Sequence, residues 1–329
     1  MLDGYGREID YLRISVTDKC NLRCIYCMPH DIDSVAMSEI LTFEEITQIV
    51  SAAAALGIKK IKITGGEPLV RRDVCSLIKM IIETDGIEQV TLTTNGVLLF
   101  KYIDELKEAG IAGINVSIDT LFKERFKLLT GHDDIDEILK GIPAAVDAGI
   151  PLKLNTVSLD PGEPDRLKDA SALIEYAGSL GIDIRFIELM PIGFGKDFPG
   201  IPHEVLIPLI ADRYKGMVRD EAGHGNGPAV YYKIPGRKGS IGFISAMSNA
   251  FCDGCNRIRL TTKGYLKNCL CYDTGVDLRS TLRSGISCTE RCEALKKAIQ
   301  GAILCKPKSH CFAEKDNISE KDPMSRIGG

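Results

Sequence analysis

Leu12–Arg13–Ile14–Ser15–Val16–Thr17–Asp18–Lys19–Cys20–Asn21–Leu22–Arg23–Cys24–Ile25–Tyr26–Cys27 carries two signals in one run. Its first half alternates apolar and polar residues, the mark of a strand whose two faces meet different surroundings. Its second half places three cysteines in a Cys-x3-Cys-x2-Cys array. Thiols this close share a metal, form disulfides or are kept reduced, and neighbours four and three apart cannot all pair. A mononuclear zinc site wants four tetrahedral ligands, usually two close pairs. Three cysteines with no fourth nearby fit a cubane iron–sulfur cluster better, with one iron left open to bind something else.

The alternation continues outward from this run. Strand candidates follow at Lys60–Thr64, Gln89–Thr94, Gly113–Ile118, Leu152–Val157 and Asp183–Glu188. Helical stretches separate them: Thr42–Leu56 with a Thr42/Glu45 capping box, Val74–Glu83, Lys101–Ala109, Ile135–Ala148 and Pro164–Leu180. Strand–helix alternation of this kind predicts an α/β fold with a parallel sheet and helices outside.

Splitting each strand by parity gives an apolar face for the helices and a polar face opposite. The polar face carries Arg13, Lys62, Thr93, Asn115, Ser117, Lys153, Asn155 and Arg185. Closed barrels fill their inside with Val, Ile and Leu, and unpaired charges are very costly in a dry core. Such a lining predicts the wall of a cavity for a large, polar, anionic ligand. The alternative is a sheet with one face in solvent.

Other stretches are less specific. Thr64–Gly65–Gly66–Glu67–Pro68 follows the second strand, where glycines let a backbone approach a ligand. Arg71–Arg72–Asp73, Lys123–Glu124–Arg125, Lys306 and Lys308 read as solvated charge. Gly223–His224–Gly225–Asn226–Gly227 precedes no clear helix and is no phosphate loop; the five histidines lack metal-ligand spacing. Beyond Leu189 the chain turns Gly- and Pro-rich, with short strands at Ala229–Lys233 and Gly239–Ile244. Then comes a second group, Cys252-x2-Cys255-x13-Cys269, with Cys271 two residues on. Counting Cys271 makes a zinc ribbon a competitor, and spacing alone does not choose.

The 329 residues hold 44% hydrophobic and 26% charged residues, 12 cysteines and a net charge of −4. No apolar run reaches membrane-span length, and the N-terminus shows no secretory signal. A cytoplasmic, reducing compartment is expected, where many cysteines argue for metal sites over disulfides. The charge gives no reason to expect nucleic-acid binding.

The first cysteine motif, with Tyr26 before its last thiol, resembles the signature of the radical S-adenosylmethionine (SAM) enzymes. The second, Cys-x2-Cys-Asn-Arg-x-Arg-Leu-Thr-x2-Gly-x-Leu-x2-Cys-Leu, resembles that of the GTP 3′,8-cyclase family of molybdenum cofactor biosynthesis. Also similar are Leu12–Asp18, Thr93–Gly96, Ile114–Asp119, Arg185–Met190 and the ending Met324–Ser325–Arg326–Ile327–Gly328–Gly329. The resemblance implies a partial (β/α)6 TIM-type barrel over 1–200. A C-terminal α+β extension over 201–329 carries a second iron–sulfur cluster.

It further implies two 4Fe–4S clusters, on Cys20, Cys24 and Cys27 and on Cys252, Cys255 and Cys269. SAM would lie by Tyr26, Gly66, Glu67, Ser117 and Met190. GTP would be held by Arg13, Lys62, Thr93, Lys153, Arg257 and Arg259, with Gly328 and Gly329 assisting catalysis. The implied reaction is conversion of GTP to (8S)-3′,8-cyclo-7,8-dihydroguanosine 5′-triphosphate, begun by a 5′-deoxyadenosyl radical at C3′. Implied partners are an electron donor such as flavodoxin or ferredoxin and the next enzyme of the pathway, cyclic pyranopterin monophosphate synthase; a homodimer is allowed. Rival readings are a radical SAM enzyme acting on a peptide and a non-catalytic metal or electron-transfer protein.

Overall fold

A computed structural model describes residues 1–28, 35–162 and 166–327. The expected strands form as β1 (Tyr11–Ser15), β2 (Lys60–Thr64), β3 (Gln89–Thr94), β4 (Gly113–Ser117), β5 (Leu152–Val157) and β6 (Asp183–Ile187). Neighbours pair in parallel in chain order, as a partial barrel requires. Between them run α1 (Phe43–Ala54), α2 (Val74–Ile82), α3 (Leu99–Glu108), α4 (Lys123–Thr130), α5 (Ile135–Asp147) and α6 (Lys168–Leu180). The Thr42/Glu45 capping box forms at the start of α1 as its sequence predicts.

In two runs read as solvated charge most residues are exposed, but one arginine in each behaves otherwise. Lys123–Arg125 opens α4, and Arg125 pairs with Asp169 of α6 at 2.5 Å. Arg71 is turned inward, donating to the carbonyls of Val16 (2.5 Å) and Leu41 (2.7 Å) with its guanidinium over the Phe43 ring. Arg72 alone of that group is fully in solvent. The apolar stem and many donors of arginine let it cover core edge while satisfying loop carbonyls, which composition does not reveal.

After α7 (His203–Arg213) the chain returns to both edges of the same sheet. β7 (Val218–Asp220) and β8 (Val230–Lys233) lead to β9 (Ile241–Ile244), which adds in parallel to β6. β10 (Arg257–Leu260) adds in parallel to β1, and β11 (Tyr265–Lys267) and β12 (Gly275–Asp277) continue outward antiparallel. One twelve-stranded sheet results, with β1 to β6 at its centre. α8 (Leu278–Leu282) and α9 (Cys288–Leu304) then pack outside, and α10 (Met324–Ile327) ends the described chain.

The parity argument describes the core. Leu12, Ile14, Ile61, Ile63, Val90, Leu92, Ile114, Val116, Leu154, Ile184 and Phe186 are buried under the helices in one apolar cluster. Burying each such side chain contributes about 1.5–3 kcal/mol, so the helix-facing side holds the sheet and the other face is left for chemistry. A smaller core joins Ile192, Cys271, Phe312 and Ile327. No described helix is long and apolar enough to cross a membrane.

Candidate active site

The polar face forms a cationic belt. Arg13 stands opposite Arg259 on one side and Lys62 on the other. The belt continues through Thr93 opposite Asn115, Asn115 opposite Lys153, and Asn155 opposite Arg185. Arg185 bridges its neighbours, donating to Asn155 Oδ1 (2.9 Å) and Asn115 Oδ1 (2.6 Å). Gly242 faces it on β9, where a Cβ would lie 2.9 Å from Arg185 Cγ, so only glycine lets that side chain cross the strand.

The belt is buried and electrostatically tense. Burial holds Lys62 well below its ordinary value, and Arg185, Arg13 and Lys153 push the same way. Burial also lowers Arg259, with Arg13 and Arg257 adding to it, and brings Arg13 down to about 10. Lys153 has a carboxylate partner. Its ammonium donates to Asp183 (2.7 Å) and to the His224 carbonyl (2.6 Å). His224 itself bridges Asp183 and Asp220 and stacks on Tyr231, so the glycine-flanked loop covers the start of β5.

The two thiol triplets flank opposite ends of one strand pair. Cys20, Cys24 and Cys27 follow β1, whereas Cys252 and Cys255 precede its parallel neighbour β10. Cys269 follows β11, antiparallel to β10, and so returns to the same end as Cys252. The registered strands between the triplets are on the order of 13 Å long, with Arg13 and Arg259 midway along them.

All six thiols are free. Cys20, Cys24 and Cys27 interact electrostatically with one another, and burial pushes Cys27 up to about 12. Cys252, Cys255 and Cys269 are similarly close. Burial raises Cys255 too, but Arg257 and Lys306 outweigh it and hold this thiol down at about 7. Among the described residues no three His, Cys, Asp or Glu side chains converge as ligands of one metal ion. A cluster asks less of them, since each thiolate holds a different iron. Two sulfur-only triplets in largely buried pockets therefore fit iron–sulfur clusters.

Cys271 lies near Cys269, which packs on the same small core, but its own thiol meets Cys311. It is fully buried in the smaller core, with its Sγ 3.2 Å from Cys311 Sγ. The four-cysteine zinc ribbon thus loses its fourth ligand to another partner.

Around the first triplet, Gly66 serves loop packing. Its N–H donates to the Thr17 carbonyl, and a Cβ would lie 2.4 Å from the Lys19 carbonyl. Glu67 is buried and accepts from Leu69 N, Thr94 Oγ1 and Asn95 N at 2.6–2.9 Å. Burial carries it to about 7 despite those donors. Its side chain therefore ties β2 to β3, leaving the loop backbone to face a ligand. Tyr26 donates to Asp119 Oδ2 (2.6 Å), and Asp119 Oδ1 accepts from Val157 N (2.8 Å). Ser117 is open to the chamber at the end of β4. Met190 packs at the edge of the smaller core.

That core also brings the tail to the first triplet, where the backbone of Ser325 acts to lower the pKa of the Cys27 thiol against its burial. Gly328 and Gly329 lie outside the described residues. Asp119 ends a stretch that resembles the family but takes no role from the sequence, and Lys306 and Arg7, which lie beside the second triplet, give no motif signal. Lys306, read as solvated, is only 3% exposed.

Residues 14–174 match the Radical SAM superfamily, and residues 182–312 match Molybdenum Cofactor Synthesis C. The GTP 3′,8-cyclase of Clostridium perfringens (strain 13 / Type A) is 46% identical over 330 residues, spanning 100% of both chains. That of Petrotoga mobilis (strain DSM 10674 / SJ95) is 41% identical, again over 100% of both. Streptococcus suis SuiB bound to S-adenosylmethionine superposes with a TM-score of 0.63 at 16% identity, covering 96% of this chain and 76% of that one. SuiB bound to its precursor peptide SuiA gives 0.65 at 15% identity, with 96% and 75% covered. At that identity the likeness is one of fold.

Proposed function

This chain belongs to the GTP 3′,8-cyclase family of the radical SAM superfamily, and from that premise we propose how its residues carry the reaction. The enzyme cyclises GTP between C3′ and C8 at the first step of molybdenum cofactor biosynthesis, using a 4Fe–4S cluster and SAM. When bound, that cofactor pair supplies the 5′-deoxyadenosyl radical that removes the C3′ hydrogen.

Cys20, Cys24 and Cys27 hold the first cluster. The backbone of Gly66–Glu67, Ser117, Met190 and the Tyr26 ring line the SAM side. Asp119 fixes Tyr26 through its hydroxyl. Arg13, Lys62, Lys153, Arg185 and Arg259 take the triphosphate. A guanidinium binds phosphate oxygens as a two-pronged fork and an ammonium as a point charge. Thr93 adds a hydroxyl on the same face, and Arg257, beside the second triplet, meets the nucleotide there. Cys252, Cys255 and Cys269 hold a second 4Fe–4S cluster at the guanine end. Gly328 and Gly329 assist catalysis in this reading. The strand faces exclude water and set the span, so the nucleotide lies between the two centres.

One observation carries this reading: Arg13, Lys62 and Arg259 stand in register on neighbouring strands between two thiol triplets, with Lys62 and Arg259 buried. That lining suits a compact polyanion such as a triphosphate. Anaerobically reconstituted, reduced protein given SAM and GTP is expected to consume GTP and release 5′-deoxyadenosine, with about eight irons per chain for two cubanes. SAM cleavage with untouched GTP would overturn the substrate assignment. Zinc at the second triplet would overturn the second cluster. An external electron donor, product hand-over to the next enzyme of the pathway and a homodimer complete the proposal.

A further inference from the structure

The segment after α9 brackets the second triplet. Lys306 is buried, and among the described residues its ammonium donates only to carbonyl oxygens, those of Arg257 (2.9 Å) and Asn268 (2.7 Å). Arg257 lies two residues past Cys255, and Asn268 immediately precedes Cys269. One ammonium therefore pins the backbone beside two of the three thiols.

Arg7 pins the third. It donates to the carbonyls of Cys252 (2.9 Å), Pro307 (2.7 Å) and Lys308 (2.8 Å). The His310 N–H adds a contact to Cys252 Sγ at 3.4 Å. The two cations differ in one respect. Arg7 has a carboxylate of its own, Asp3 at 2.6 Å, whereas Lys306 has carbonyl dipoles.

A buried ammonium with only neutral acceptors is costly, unless the site it faces becomes anionic. A cubane on three thiolates does so, and more strongly when reduced. We infer that Lys306 is the positioning residue and buried counter-charge of the second cluster, fixing the Cys255 and Cys269 thiolates and favouring the reduced cluster. This rests on the reading that Cys252, Cys255 and Cys269 bind a 4Fe–4S cluster.

The test uses the full chain with Cys20, Cys24 and Cys27 all replaced by alanine, so that only the second cluster remains. Lys306→Met is expected to shift the cluster's midpoint potential negative, because loss of a nearby cation disfavours the more anionic reduced state. Iron release to a chelator should quicken by about ten- to a hundredfold, the usual effect of losing an outer partner. Lys306→Gln keeps a donor for the carbonyls but not the charge; it should fold and show the same negative shift. Lys306→Arg should restore both properties. An unchanged midpoint in the methionine and glutamine variants overturns the inference, as does an arginine variant no better than methionine, which would mark a packing role. If the Lys306-containing protein takes up zinc or no iron, the cluster reading itself has failed, and the inference with it. That outcome is read from metal content before any substitution at Lys306.

Discussion

Arg13 and Arg259 stand in register on adjacent parallel strands, 246 residues apart in the chain, with both side chains turned into the chamber. Burial and Arg13 together lower Arg259. Like charges brought together without water oppose folding and favour an anion between them.

Replacing Arg259 by methionine should relieve that repulsion and remove part of the triphosphate grip. The KM for GTP is expected to rise at least about thirtyfold, corresponding to roughly 2 kcal/mol or more for a truncated buried charge contact. Thermal stability of the ligand-free protein should hold or rise. A fall in melting temperature with an unchanged KM would contradict the role.

Lys62 gives a pH signature. Its folded-state pKa is held well below the ordinary 10.5 by burial and then by Arg185, Arg13 and Lys153. The unfolded chain therefore binds more protons between the folded value and 10.5, so ligand-free stability should rise with pH across that window. Bound triphosphate favours the charged lysine, so GTP binding should take up protons within the same window and weaken as pH rises. Calorimetry in buffers of different ionisation enthalpy checks the uptake. Lys62→Met should abolish its share of both effects.

Cys255 and Cys271 should part company. Cys255→Ser is expected to lose about half of the reconstituted iron, one cubane of two. Cys271→Ser should retain all of it, because its thiol is engaged with that of Cys311. Equal iron loss in the two variants would restore a four-cysteine site.

Tyr26→Phe removes the donor to Asp119 and leaves a buried carboxylate oxygen without it. A loss of about 1–3 kcal/mol in stability is expected, with a raised KM for SAM and little change in GTP binding. Urea unfolding and SAM-cleavage kinetics measure the two separately. An effect confined to GTP would misplace Tyr26.

The sequence by itself determined the sheet, the polarity of its two faces and both cysteine triplets. Each of these is a local property: alternation along a strand, a cap at Thr42, thiols three and four residues apart. That the strands of Arg13 and Lys62 are parallel neighbours also follows from their connection through a helix, while the register that sets the two side by side is seen in the structure.

Only the tertiary structure decided what depends on partners distant in the chain. β10 docks on β1 and β9 on β6, so the last third of the chain extends both edges of the barrel sheet. Lys306 and Arg71 have the composition of solvated charge and become buried ties because loop carbonyls far away in sequence need donors. Cys271 sits two residues from Cys269, past the end of β11, and its thiol meets Cys311, 40 residues further along the chain. Alternation fixes which way a side chain points; what it meets there is set by segments hundreds of residues away, through packing and hydrogen-bond satisfaction that no short window contains.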